Sequence, residues 1–140
     1  MTLKEVVSCA FIDAVDRVLF QDNGPKAGFS YHFFGGSLEN GETPEEALIK
    51  RIIEELDFDL SNHKVRHFGD YRDPFSKERT SVEHVYITRF PGFSYIKDME
   101  ERNLVLMPIS TARRHRLLPS YHRILEDLET ALRSPNFSLP

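Results

Sequence analysis

Short apolar segments alternate with polar connections in the first part of the chain and predict the strands of a sheet. Val6–Phe11 and Val18–Phe20 are apolar and rich in β-branched or aromatic residues, and the polar segment Asp13–Arg17 separates them. This pattern predicts a hairpin. A third predicted strand, Phe29–Phe34, is aromatic and ends at a pair of glycines.

A helix with a well-marked start follows this strand. Thr43 is placed to be the N-cap, Pro44 occupies the first helical position, and Glu46 completes a capping box three residues after the cap. The predicted helix runs to about Leu56. Its apolar residues recur at helical spacing and must pack on a sheet; they are Leu48, Ile49, Ile52, Ile53 and Leu56.

The second half of the chain predicts three more strands and a second helix. The predicted strands are Val65–Tyr71, Ser81–Phe90 and Leu104–Met107, with a turn at Arg72–Thr80 between the first two. The second strand carries apolar residues in both phases of its alternation, which is typical of a sheet covered on both sides. Pro119–Leu132 has helical periodicity.

These elements predict an α/β (α+β) fold in which a mixed sheet lies between helices. At 140 residues the chain has the length of a single domain, so we expect one domain over residues 1–140, with residues 134–140 frayed.

Composition narrows the possible functions. The 40% hydrophobic and 29% charged content is that of a globular protein, and the net charge of -4 argues against generic nucleic-acid binding and against anionic membranes. No apolar run is long enough to span a membrane. Cys9 is the only cysteine, so no disulfide can form within the chain, and we expect a cytoplasmic protein.

The glycine loop and the first helix share a specific spacing. Five residues separate Gly36 from Glu42, seven separate Glu42 from Lys50, and the adjacent pair Glu54 and Glu55 follows. The stretch from Gly36 to Phe58 resembles the Nudix box, G-x5-E-x7-R-E-U-x-E-E-x-G-U, in which U is a bulky aliphatic residue.

The resemblance to the Nudix hydrolase family implies an α/β/α sandwich and an activity. The implied reaction is hydrolysis of a phosphoanhydride bond in a nucleoside diphosphate linked to another group X, with water activated by Mg²⁺ or Mn²⁺. It implies a small nucleotide derivative as partner, and a homodimer is possible.

The resemblance also assigns roles to the box residues. Glu54 and Glu55 match metal ligands that act in catalysis, and the backbone carbonyl of Gly36 matches a third ligand. Glu42 matches a glutamate that braces the loop through the box arginine. Lys50 stands at that arginine's position, so the brace loses its bidentate fork.

Arg51 departs from the box, because the family has a glutamate at this position. It can pair with Glu54 or Glu55 across one helical turn. Two hypotheses follow: a metal-dependent hydrolase that works with an altered box, or a nucleotide-binding or regulatory module without catalysis in which Arg51 holds a phosphate. Asp57 replaces the box glycine and can adopt its left-handed conformation.

Other candidates lie outside the box. The resemblance implies an extra base or metal ligand from the charged loop before the last strand, where Asp98, Glu100 and Glu101 are the candidates and Glu101 is the one we expect to act in catalysis. Phe29, Tyr31 and Tyr86 are candidates for substrate binding, although aromatic residues of this kind also serve as core. His63 and His67 lie four residues apart, but the chain changes from loop to strand between them, so this pair predicts no metal site.

Overall fold

The computed structural model describes residues 2–74 and 79–140. Its strands are β1 Thr2–Ile12, β2 Arg17–Asp22, β3 Tyr31–His32, β4 Phe34–Ser37, β5 Arg66–Pro74, β6 Arg79–Arg89 and β7 Leu104–Pro108. Its helices are α1 Pro44–Leu56, α2 Ile109–Ala112 and α3 Pro119–Arg133, with a short 3-10 helix at Leu60–Asn62.

The described strands form one mixed sheet around β1. The main path is β3-β2-β1-β6-β5; β4 also pairs with β1, and β7 pairs with β2. β1 and β6 run parallel, whereas the other pairs are antiparallel. The mixed sheet predicted from the sequence is therefore confirmed.

The two faces of the sheet bury two separate apolar clusters. Along β1, Val7, Cys9 and Phe11 belong to the cluster under α1, and the alternate residues Ala10 and Ile12 belong to the cluster under α3. Successive side chains of a strand point to opposite faces, so one apolar strand supplies both clusters. This arrangement confirms the α/β/α sandwich. We call the two clusters the α1 core and the α3 core.

α1 begins and ends as its local sequence predicts. The Thr43 hydroxyl accepts a hydrogen bond from the Glu46 amide at 3.2 Å and donates one to the Glu46 carboxylate at 3.0 Å. The helix ends at Asp57, which has the left-handed angles φ 54 and ψ 37. Within α1, Ile53 is 44% exposed, contrary to the predicted apolar arc, and the buried residues of the helix are Ala47, Leu48, Ile52 and Leu56.

Two predicted segments need correction, and one short helix was not predicted. The aromatic segment Phe29–Phe34 does not form one strand: it contributes β3 and the start of β4, and the two glycines lie inside β4. The predicted turn Arg72–Thr80 is narrower, since β5 extends to Pro74 and β6 starts at Arg79; the remainder of that turn lies outside the described residues. The short helix α2 was not predicted.

The C-terminal residues contact the sheet, which differs from the frayed tail that the sequence suggests. Phe137 and Leu139 are partly buried against the α3 core. The Arg89 guanidinium donates to the backbone carbonyls of Leu139 and Pro140 at 3.3 and 3.1 Å. In the part of the chain that the structure describes, no helix has the length and apolar character needed to cross a membrane.

Candidate functional site

The site starts at the glycine pair, which lies inside the sheet. Gly35 pairs with Ser8 of β1, and Gly36 pairs with Val7. A Cβ atom at Gly35 would stand 1.9 Å from the Val7 carbonyl oxygen, so only glycine lets the two backbones approach this closely. The loop that follows β4 therefore leaves the sheet from a fixed position and leads into α1.

Glu55 is joined directly to this glycine pair. The Gly35 amide donates to Glu55 Oε1 at 2.7 Å. The carboxylate reaches solvent, but surrounding protein atoms desolvate it, and this desolvation raises its pKa; the Gly35 amide opposes the rise, Glu54 adds to it, and Arg51 opposes it. The last turn of α1 thus holds an oriented carboxylate beside Gly36.

Arg51 ties the loop to the helix. Its Nη2 donates to the Ser37 carbonyl at 3.3 Å and to Glu39 Oε1 at 3.0 Å, and its Nη1 lies 3.3 Å from Glu54 Oε1. The side chain is only 15% exposed. Of the two pairings that the sequence allows on α1, the structure forms the one with Glu54.

The expected brace between Glu42 and Lys50 is not among the contacts of the described residues. Glu42 Oε1 instead accepts from the Glu39 amide at 2.8 Å, and the Lys50 ammonium lies 3.6 Å from Glu39 Oε2. Hydrogen bonding to Arg51, together with the charges of Lys50 and Arg51, lowers the pKa of Glu39. Glu39 is therefore the centre of the brace, and Arg51 provides the fork that Lys50 lacks.

The residues present have the chemistry of a magnesium or manganese site. Glu54 and Glu55 could supply carboxylate oxygens, and Gly36, the neighbour of the glycine that binds Glu55, could supply a backbone carbonyl oxygen. Mg²⁺ is commonly held by one or two carboxylates together with substrate phosphates, so this donor set fits the ion. The Arg51 guanidinium pairs with the Glu54 carboxylate and would compete with a cation for it. Glu55 is therefore the better placed of the two candidate ligands.

A cavity of about 520 Å³ opens beside Gly35 and Gly36 on the α3 side of the sheet. Phe29, one of the predicted substrate-binding residues, lies in its wall together with Glu83 and Tyr121. The cavity combines aromatic surface with polar groups, which is the usual character of a small-molecule site.

Glu83 is a site residue that the sequence analysis missed. Its carboxylate accepts from the Ser8 hydroxyl at 2.7 Å and from the Tyr121 hydroxyl. Burial is the main cause that raises its pKa. A signal was present, since Glu83 shares its phase along β6 with the core residues Val85 and Ile87.

Three other candidates lie elsewhere. Tyr31 packs against Phe20 and His115, and Tyr86 is 6% exposed in the α1 core, so neither is in the wall of the cavity. Glu101 is exposed. Its neighbour Arg102 fastens the loop to the end of α1 by donating to the Glu55 carbonyl at 2.8 Å. The contacts of Glu101 itself supply no argument for catalysis.

Comparison with known proteins identifies the class of this fold. The model of the NUDIX domain family matches residues 2–128 of the chain. The chain belongs to the Nudix family, whose members are generally hydrolases. No curated protein sequence matches the chain.

Solved structures show the same fold at low sequence identity. The E. coli ORF135 protein is 20% identical with a TM-score of 0.74, and the match covers 99% of this chain and 96% of that one. A MutT Nudix hydrolase from Burkholderia pseudomallei is 19% identical with a TM-score of 0.69, covering 91% and 99%. A putative Nudix hydrolase from Chromobacterium violaceum is 22% identical with a TM-score of 0.69, covering 96% and 82%.

Proposed function

We propose that this protein hydrolyses a phosphoanhydride bond in a nucleoside diphosphate linked to a group X, with Mg²⁺ or Mn²⁺ as cofactor. The observation that carries the proposal is the Glu55 carboxylate, which accepts a hydrogen bond from the Gly35 amide at 2.7 Å and is thereby fixed at the glycine pair. A polyphosphate brings several negative charges to such a site, and the transition state adds charge on the attacking and leaving oxygens. A cation held by carboxylates offsets this charge.

The residues of the site divide three roles in this mechanism: binding the cation, bracing the loop and binding the non-phosphate part of the substrate. Glu55, Glu54 and the Gly36 carbonyl would hold the cation, and the chemistry that a bound cation would supply there is a lower pKa of bound water and polarised phosphoryl oxygens. Arg51 keeps the loop on the helix and so keeps the ligands in place. The cavity beside the glycines accommodates the non-phosphate part of the substrate, with Phe29 as a stacking surface and Glu83 as a hydrogen-bond acceptor.

The direct test is an assay for the two products of phosphoanhydride hydrolysis, the nucleoside monophosphate and the phosphorylated group X (pyrophosphate for a triphosphate), separated by chromatography. The purified protein is incubated with a panel of nucleoside triphosphates, dinucleotides and nucleoside diphosphate sugars, with Mg²⁺, with Mn²⁺, or with EDTA. We expect turnover of at least one compound that requires the divalent cation. Binding of panel members without turnover under any cation contradicts the proposal and favours the binding module.

The contacts of Arg51 bear on the second hypothesis. A binding module that uses Arg51 to hold a phosphate needs free guanidinium donors, but those of Arg51 are directed at Ser37, Glu39 and Glu54. These contacts favour a bracing role over direct phosphate binding.

Two substitutions of Arg51 are expected to raise the metal affinity to different extents. Arg51→Gln removes one positive charge beside Glu54, and we expect Mn²⁺ to bind roughly fivefold tighter; Arg51→Glu also adds a carboxylate, for a gain of roughly thirtyfold. Both variants lose the fork to Glu39, so both should melt at a lower temperature than the parent. Isothermal titration with Mn²⁺ and thermal denaturation measure the two effects.

A matched control for this pair of variants is Arg114→Gln, which removes an exposed arginine from another part of the chain. It should leave both quantities unchanged. Equal Mn²⁺ affinity in the parent, Arg51→Gln and Arg51→Glu would show that Arg51 does not limit metal binding.

A further inference from the structure

Two histidines and an aspartate meet on the α1 side of the sheet, at strands β5 and β6. His67 Nε2 and His84 Nδ1 each lie 2.7 Å from Asp70 Oδ1. The three potential ligand atoms all lie within 4.8 Å of one another. None of these residues belongs to the glycine loop or to α1, so the cluster is separate from the site described above.

A bulge in β5 brings this cluster together. His67 is in register with Tyr86 and Asp70 with His84, so three steps along β5 correspond to two steps along β6, with Phe68 as the extra residue. Residues three apart on a regular strand point to opposite faces. The extra residue restores the phase, and the side chains of His67 and Asp70 therefore meet on one face.

We propose that His67, Asp70 and His84 form a binding site for a divalent transition metal, with Zn²⁺ the best match. Two imidazole nitrogens and one carboxylate oxygen are ligands that Zn²⁺ accepts, and three protein ligands leave a fourth position for water. A site of this composition differs from the oxygen-only set at the glycine loop, which suits Mg²⁺ or Mn²⁺.

Glu5 supplies the outer contact that such a site requires. The second ring nitrogen of His84, Nε2, lies 3.1 Å from Glu5 Oε1. His84 thus has a carboxylate at each ring nitrogen, but a neutral imidazole has a single N–H to donate. A protonated ring would donate to both carboxylates, and a metal at Nδ1 accounts for the same arrangement, because Nε2–H then donates to Glu5. Histidine ligands usually have such a carboxylate partner, which fixes the ring orientation.

To accept the ion, the Asp70 contacts must widen, and the two imidazole nitrogens, which lie within 4.8 Å of each other, must come to the separation that zinc requires. Ligand atoms on a tetrahedral zinc with bonds of about 2.0–2.1 Å lie about 3.3 Å apart. The two 2.7 Å contacts to Asp70 must therefore widen by about 0.6 Å. The His67 and Asp70 side chains are 48% and 50% exposed, so they can make this movement and leave a path for the ion.

The cluster is also separated from the glycine loop in space. His84 is in register with Val7, and Val7 is in register with Gly36 on the other side of β1. Two strand spacings, or about 10 Å, therefore separate the His84 and Gly36 backbones. This separation allows the two metals to be studied independently.

The test uses Co²⁺ and Zn²⁺ as probes on the complete chain. Co²⁺ bound by nitrogen ligands in a four-coordinate site gives strong visible absorption bands, whereas a carboxylate-and-water site gives weak ones. We expect strong bands in the parent protein and in a Glu54→Gln/Glu55→Gln variant that lacks the box carboxylates. We also expect one equivalent of Zn²⁺ to abolish the bands and to raise the melting temperature of both proteins.

Variants of the cluster decide whether these residues bind the ion. His67→Ala and Asp70→Asn should remove the Co²⁺ bands, and Glu5→Gln should weaken Zn²⁺ binding by about 10- to 100-fold while the bands remain. His122→Ala, at an exposed histidine of α3, is the matched control and should behave as the parent.

Two results overturn the inference. One is the absence of Co²⁺ bands and of Zn²⁺ binding in a folded parent protein. The other is binding that survives in His67→Ala and Asp70→Asn but is lost in the Glu54→Gln/Glu55→Gln variant, because the ion would then occupy the glycine loop. Failure of the proposed hydrolysis leaves these readouts unaffected.

Discussion

Glu55→Gln is expected to abolish metal-dependent turnover, with kcat/KM falling by about a hundredfold or more. The substitution keeps the length of the side chain, and the amide oxygen can still accept the Gly35 N–H that the structure places 2.7 Å from Glu55 Oε1. What is lost is the negative charge that binds the cation. The measurement is steady-state hydrolysis of whichever panel compound the parent turns over, with Mn²⁺ titration alongside.

The same variant carries a second expectation that separates a functional from a structural role. Desolvation raises the pKa of Glu55, so the native state disfavours the ionised form, and this cost is fully present above the raised pKa. The side-chain amide of the glutamine carries no charge, so the variant does not have this destabilisation when Glu55 of the parent is ionised. Glu55→Gln should therefore melt at the same temperature as the parent or higher, while its activity falls.

Glu126→Gln provides the control, since Glu126 is an exposed glutamate on α3. It should keep both activity and melting temperature. A Glu55→Gln variant that retains the activity of the parent would remove the main support for metal-assisted hydrolysis at this site. A variant that loses activity only in proportion to lost stability would indicate a structural role for Glu55.

Gly35→Ala is expected to destabilise the fold by about 3 kcal/mol or more. The added Cβ meets the Val7 carbonyl oxygen at 1.9 Å and the Ser8 Cα at 2.8 Å, and both are backbone atoms of the central strand. They cannot withdraw unless the β1–β4 pairing opens. Urea unfolding followed by circular dichroism measures the change in the free energy of unfolding.

Two other glycines make this experiment specific. Gly28→Ala adds a Cβ that meets nothing within 4 Å, and its effect should be within about 0.5 kcal/mol. Gly36→Ala meets the Arg51 Cδ at 2.9 Å, and this flexible side chain can move, so an intermediate loss is expected. Insoluble Gly35→Ala beside soluble Gly28→Ala agrees with the prediction; equal unfolding midpoints for the two variants would contradict it.

The sequence predicted those parts of the site that depend on neighbours in the chain. The Thr43 cap, the left-handed Asp57 and the placement of Glu54 and Glu55 in the last turns of α1 follow from contacts within four residues. Spacing along a helix fixes these relationships before any tertiary contact forms. The family resemblance rested on the same local spacing, and the match to the NUDIX domain confirms it.

The sequence could not predict which groups Arg51 and Glu39 contact. Whether a guanidinium reaches a carboxylate twelve residues earlier depends on the path of the loop between them. That path is set by β4, because its two glycines pair with β1 inside the sheet, whereas the sequence predicted a strand that ends at them. In the structure Glu42 accepts from the Glu39 amide and Lys50 lies near Glu39, contacts that also depend on this loop path.

By itself, then, the sequence determined the α1 boundaries, the apolar phases that give the sheet two covered faces, and the box spacing, because each of these is a periodicity or a contact of short range. The tertiary structure decided which distant polar groups meet. Glu83 joins Tyr121 across 38 positions because β6 and α3 pack together. His67 and Asp70 share a face only because β5 carries an extra residue against β6. On a regular strand, two residues three apart would lie on opposite faces, so their spacing in the sequence does not predict this contact.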